Sequence, residues 1–271
     1  MTETVYTADA ELRHPARFAA AAVHDLRQSP AVAWRLVRSN VQARHRRAWL
    51  GYLWLLLPTL GTTAVWTYVQ SRRIVNIPAT EVPYPVFVLT GTILWQLFVD
   101  ALNTPLQQLT ANRVLITRSH VPHEAVILAG FIETLFNCAV RLAILVPVLM
   151  FFGMPLRASA ALLPAGIAAL ALLGLALGVA VAPIGMLYDD VARAIALVTS
   201  LWFFVTPILY PAHGVMRWNP LTPLIDATRG WLVGGSADDR FALVFALTIP
   251  VLVGAWLFAR IARPHVIARL G

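Results

Sequence analysis

Apolar residues in this chain arrive in six blocks, at 50–70, 84–103, 124–151, 160–186, 192–210 and 241–260. About 20 apolar residues are what a helix needs to cross ~30 Å of hydrocarbon. In lipid every backbone amide must be satisfied within the segment, so such blocks fold as helices. The remaining composition agrees: 59% of the 271 residues are hydrophobic and only 13% are charged, where a soluble domain carries about 25% charged. The expected fold class is all-α integral membrane, with six transmembrane helices.

The charge is informative in kind as well as in sum. The net +8 comes from 21 basic residues, all of them arginine. Nucleic acid is a poor explanation, because the arginines flank the apolar blocks. With the N-terminus inside, fourteen fall on inner segments and six on outer ones, while Arg141 lies within the third block. The positive-inside bias therefore puts both termini in the cytoplasm. A P-loop motor needs a lysine at the nucleotide phosphates, and the sequence has none. The first apolar block arrives after 49 polar residues, too late for a cleaved signal, so span one is expected to be retained. Cys138 reads as a small buried hydrophobe.

Between the blocks, four segments stand out. Ser29-Pro30 reads as a cap and first-turn proline, opening a helix with Trp34, Val37, Val41 and Ala48 on one face. Arg35, Ser39, Gln42 and Arg46 lie on the other, which suits a helix in the membrane surface or a solvated juxtamembrane one. Thr104-Pro105 reads as a second helix start, followed by scattered apolar contacts at Leu106, Leu109, Leu115 and Ile116 and by Arg113 and Arg118. That segment is either a docking surface or an ordinary loop helix. Residues 211–235 are too apolar for a free loop and too short for two crossings, so a pair of short helices dipping into the outer leaflet is expected. Trp49, Tyr52 and Trp54 mark the inner interface, where amphipathic rings anchor.

Inside the blocks, Glu133, Asn137 and Arg141 fall at i, i+4 and i+8 as one polar stripe. An isolated charge there costs about 2.5–3.5 kcal/mol, so the stripe faces protein or water, as a structural network or as a conduit wall. Asp100, near the end of the second block, is a candidate partner for an inner arginine. Gly174 and Gly178 allow close helix approach, at a dimer seam or within the chain. Asp226 and Arg229 form an i, i+3 pair. His120 and His123 have no ligand cluster around them, so no metal site is expected. No catalytic grouping stands out, and the chain is not expected to be an enzyme.

Four stretches, in order, carry a resemblance: Arg44–Pro58 (RHRRAWLGYLWLLLP), Asn112–Glu124 (NRVLITRSHVPHE), Tyr188–Pro211 (YDDVARAIALVTSLWFFVTPILYP) and Asn219–Gly230 (NPLTPLIDATRG). Over residues 30–260 the chain resembles the membrane subunit of type-2 ABC exporters, in the branch that exports polysaccharides such as O-antigen, capsule and teichoic acid. The resemblance implies a homodimer in the cytoplasmic (inner) membrane, paired with two copies of a P-loop ATPase that holds the ATP and Mg, with no cofactor in this chain. It implies a cytoplasmic lead-in and interface helix (1–49), a transmembrane domain (50–260) and a cytoplasmic tail (261–271). Residues 104–122 become the coupling helix, through Leu106, Leu109, Asn112, Arg113, Leu115, Ile116 and Arg118. Tyr188, Asp189 and Arg193 become a second inner contact, and Asn219, Pro220, Asp226 and Arg229 belong to the re-entrant segment.

A lipid-linked polysaccharide needs flat apolar faces to slide along, and aromatic rings supply them. Tyr52, Trp54, Trp66, Tyr68, Trp202, Phe203 and Phe204 are the conduit candidates, with an interfacial belt and core packing as the competing explanation. Arg46 and Arg47 are placed to draw an anionic lipid diphosphate to the inner entrance. Two rival functions stay open: a type-2 exporter of small drugs or lipids, and a membrane-embedded glycan transferase using Glu133 and Asp100.

Overall fold

The computed structural model describes residues 15–47, 53–118, 121–154, 157–233 and 238–270. The helices are α1 (Pro15–Arg47), α2 (Leu53–Ser71), α3 (Tyr84–Ala111), α4 (Arg113–Arg118), α5 (His123–Phe151), α6 (Leu163–Gly185), α7 (Asp190–Phe204), α8 (Leu221–Val233) and α9 (Phe241–Leu270). Among the described residues, four helical stretches are long and apolar enough to cross a membrane: Tyr84–Ala111, His123–Phe151, Ala158–Gly185 and Phe241–Val266. At 15 residues, α7 rises only about 22 Å. The chain then leaves the helix at Val205 and runs inward through Ile208 and Leu209, both fully buried.

α3 is the hub. Of its most apolar stretch 78% is buried, against 11% for α9, and it packs on α2, α5, α6, α7 and α8. Its closest neighbour is α6, and glycines set the approach. A Cβ on Gly174 would stand 2.5 Å from the Phe98 carbonyl oxygen, and one on Gly178 2.2 Å from that of Leu102. Both obstacles are backbone, so the two helices touch only because these positions carry no side chain. The small-residue pair therefore works within the chain.

Two helix starts expected from local signals are absent. Pro30 lies inside α1 and Pro105 inside α3. The hydroxyls that would cap new helices bond back one turn instead, from Ser29 to the Asp25 carbonyl at 2.7 Å and from Thr104 to the Asp100 carbonyl at 2.8 Å. An interior proline costs about 3 kcal/mol. Burial on both sides outweighs it: Ala33 and Val37 pack on Ala129 of α5, and Leu106 and Leu109 are core residues. The face of α1 that is used is Ser29, Ala33 and Val37, while Trp34 is 63% exposed.

The outer segment holds a short 3-10 helix, Gly214–Trp218, followed by the α-helix α8. α8 packs on α3, α6 and α9, and its Leu221, Leu224, Ile225 and Ala227 are wholly buried.

Candidate functional site

At the inner end, as the arginine distribution orients it, a compact apolar cluster joins the ends of several helices. Leu106, Leu109, Ile116, Val126 and Ala182 form its buried centre, with Leu36, Met186, Val191 and Ile195 against it. The two segments expected to contact an ATPase thus meet on one cluster. The side chains divide differently from expectation, because Leu106, Leu109 and Ile116 are buried inside the subunit. Their apolar character serves the core rather than a partner. Gln107, Thr110, Ala111, Arg113 and Val114 are the exposed ones among the described residues of this stretch. Leu115 is half-buried, and Asn112 closes α3, donating from its side-chain amide to the Gln108 carbonyl at 2.9 Å. Nearby, Tyr188 and Asp189 are exposed, and Arg193 pairs with Asp190 at 2.8 Å on the surface.

One ionic cluster at this end was not legible in sequence. Arg260 of α9 donates to Asp25 of α1 and to Glu124 of α5, each at 2.7 Å. Its side chain is only 6% exposed. Glu124 lies two residues past the 104–122 segment, in the first turn of α5, so one guanidinium ties that segment's return, the N-terminal helix and the last helix together.

Deeper in, Arg141 pairs with Asp100 across α5 and α3 at 2.6 Å. One turn inward, the Thr104 and Thr134 hydroxyls bond at 2.8 Å, and Gly130 leaves room for Thr104 and Gln108. Glu133 and Arg141 are buried and Asn137 half-buried. The stripe is thus turned toward α3, and its arginine is matched by a carboxylate, as a cation at this depth requires.

The aromatic candidates separate into two groups. Trp202 and Phe203 are half-buried in a ring cluster of the core, with Phe98–Trp202 centroids at 5.4 Å and Trp95–Phe203 at 5.8 Å. Trp66 also packs on the core. Trp54, Tyr68 and Phe204 are exposed, at 64%, 58% and 51%. Arg72 stands over the Tyr68 ring. Tyr52 and the side chains of Arg46, Arg47 and Arg118 lie outside the described residues.

At the outer end, Asn219 fastens the α7 exit to the α8 start. Its amide accepts from Trp202 Nε1 at 3.1 Å and from the Leu221 amide at 3.0 Å. It donates to the Val205 carbonyl and to the Thr206 hydroxyl. Pro220 beside it is exposed. Arg229 donates to the Pro207 carbonyl at 2.6 Å, pairs with Asp226 at 3.2 Å and lies 3.8 Å over the Phe87 ring. Gly91 makes space for it. The expected i, i+3 pair is therefore part of a larger anchor that also reaches α3. Both Asn219 and Arg229 hold this segment to the body of the subunit.

These features describe a helical membrane protein with a composite surface at one end and a firmly anchored segment at the other. No family model matches the chain. Curated relatives match most of its length. An O-antigen export system permease protein, RfbA, from Myxococcus xanthus is 26% identical over 85% of this chain and 91% of its own length. The RfbA permease of Klebsiella pneumoniae is 21% identical over 83% and 90%. The polysialic acid transport protein KpsM of Escherichia coli is 22% identical over 75% and 82%. The chain is thus similar, over most of its length, to permease proteins of O-antigen export systems and to a polysialic acid transport protein.

Proposed function

We propose that two copies of this chain form the conduit through which a lipid-linked polysaccharide crosses the cytoplasmic membrane, driven by two copies of a separate P-loop ATPase. The observation that carries this reading is the inner cluster. It places the 107–114 surface and the Tyr188–Arg193 turn over one shared core. A partner pressing there moves α3 and α7 together, because both are rooted in that core. The chain hydrolyses no ATP itself, and six helices, with α2 and α7 as the shortest pair, cross the membrane.

α2 and α7 both flank α3 and leave apolar faces uncovered, at Leu57, Leu60 and Val65 on one and Leu197, Val198 and Leu201 on the other. In the dimer these faces line the path and the subunit seam. Trp54, Tyr68 and Phe204 offer rings to the sugar chain, with Trp66, Trp202 and Phe203 as their backing. The α8 segment is a re-entrant element that closes the outer end. Arg46 and Arg47 attract the lipid diphosphate at the inner edge. The transferase reading loses support from the geometry, since Asp100 is held by Arg141.

Reconstitution tests the proposal. Vesicles carrying this chain and its ATPase are expected to translocate a lipid-linked polysaccharide in an ATP-dependent manner. Vesicles with the chain alone are expected to show none. Translocation by the chain alone, or turnover of the lipid-linked donor without the ATPase, refutes it.

A further inference from the structure

A groove with a volume of about 580 Å³ runs between α1, α5, α6 and α9. Its walls are aliphatic over most of its length, from Leu128, Leu175, Val179 and Leu252. It opens beside α9, whose Val251 and Phe258 face outward. Polar lining gathers at one end, where Glu124, Arg260 and Arg263 stand.

The two arginines are not equivalent. Arg260 is engaged by Asp25 and Glu124, which uses both nearby carboxylates. Among the described residues Arg263 has no carboxylate partner, and its Nε is buried without a hydrogen bond. The groove is therefore a long apolar channel whose inner mouth balances two arginines with two carboxylates and holds one guanidinium, that of Arg263, without a hydrogen-bond partner among the described residues. An apolar cavity does not hold ordered water, so at membrane depth it is filled by hydrocarbon. Chain packing alone selects no particular occupant, because lipid tails are as apolar as leucine. Selection falls to the head group, and guanidinium is the side chain best matched to phosphate.

We propose that this groove is a resident phospholipid site, with one acyl chain between α5, α6 and α9 and the lipid phosphate on Arg263. The site is separate from the cargo path and rests on the membrane-spanning reading of α5, α6 and α9, not on what the exporter carries. By filling the space beside the Arg260 cluster, the lipid steadies the junction of α1 and α9.

Native mass spectrometry of the purified full-length chain tests it, using dioleoyl phosphatidylglycerol carrying a photoreactive acyl chain. One lipid per chain is expected to be retained, with cross-links at Leu128, Leu175 or Leu252. Arg263→Gln is expected to lower retention about tenfold, the loss of roughly one charge-assisted hydrogen bond. Leu252→Trp, which fills the groove and keeps the arginine, is expected to lower it too. Arg269→Gln, an exposed arginine on the same helix, is expected to have no effect. Equal retention in Arg263→Gln and Arg269→Gln overturns the proposal, as do cross-links spread evenly over Val251 and Phe258. Preferential retention of a polyprenyl phosphate assigns the groove to the cargo carrier, and a groove closed by a second copy without lipid assigns it to the dimer. Either result also overturns it. Because no transport is measured, failure here leaves the export function untouched.

Discussion

Removing the Arg260 charge strands two carboxylates at the junction of three helices. In the intact protein the guanidinium meets Asp25 and Glu124 at 2.7 Å each, with side-chain exposures of 6%, 27% and 11% for Arg260, Asp25 and Glu124. Breaking a buried pair by deleting one partner costs about 3–5 kcal/mol. The partial exposure of Asp25 puts Arg260→Gln at the lower end, about 3 kcal/mol. At roughly 2–4 °C per kcal/mol for a domain of similar size, the unfolding midpoint falls by about 10 °C. Thermal unfolding in detergent, followed by tryptophan fluorescence, measures this. The triple variant Asp25→Asn, Glu124→Gln, Arg260→Gln removes every charge and is expected to recover most of the loss, since uncharged replacement of a buried ion cluster is often near neutral. An unshifted midpoint in Arg260→Gln, or a triple variant less stable than the single one, refutes the reasoning.

Two further substitutions read the packing and the outer anchor. Gly178→Leu drives a side chain into the Leu102 carbonyl, which cannot rotate away. It is expected to destabilise by at least the 1–3 kcal/mol typical of overpacking, whereas Gly254→Leu, with open space around it, is expected to be tolerated in the same thermal assay. Asn219→Ala leaves the Trp202 indole and the Leu221 amide without their acceptor and is expected to cost about 1–3 kcal/mol. Limited proteolysis from the outer side checks it: cleavage near 206–220 rises if the anchor works as described, and wild-type resistance contradicts it.

The long apolar helices were legible because hydropathy is local: each block states its own need for a hydrocarbon environment. The errors lie where a local signal competes with burial. Ser29-Pro30 and Thr104-Pro105 carry the residues of a helix start, yet tertiary packing holds both inside longer helices. Leu106 and Leu109 looked like contacts for a partner, since a short sequence shows that a face is apolar without showing what covers it. Trp202, Phe203 and Phe204 are consecutive, and only their neighbours decide that two pack inward while the third faces out. Asp100 was recognisable as needing an arginine, because charges in hydrocarbon are costly alone, but the inner arginine expected for it is not its partner: Arg141, within the third block, is. The Arg260 cluster was out of reach: its partners lie 136 and 235 residues away, and no periodicity spans such distances.

The central claim is that the work stroke enters through the 107–114 surface from the cytosolic side. The chain's one cysteine is buried, and Val114 is 64% exposed. A Val114→Cys variant on a Cys138→Ala background therefore presents a single reactive thiol. A membrane-impermeant maleimide is expected to leave it unmodified in intact cells and to label it in inverted vesicles, with labelling suppressed when the ATPase is bound. Labelling in intact cells would place the surface outside and contradict the account, and so would labelling in inverted vesicles that the ATPase does not diminish.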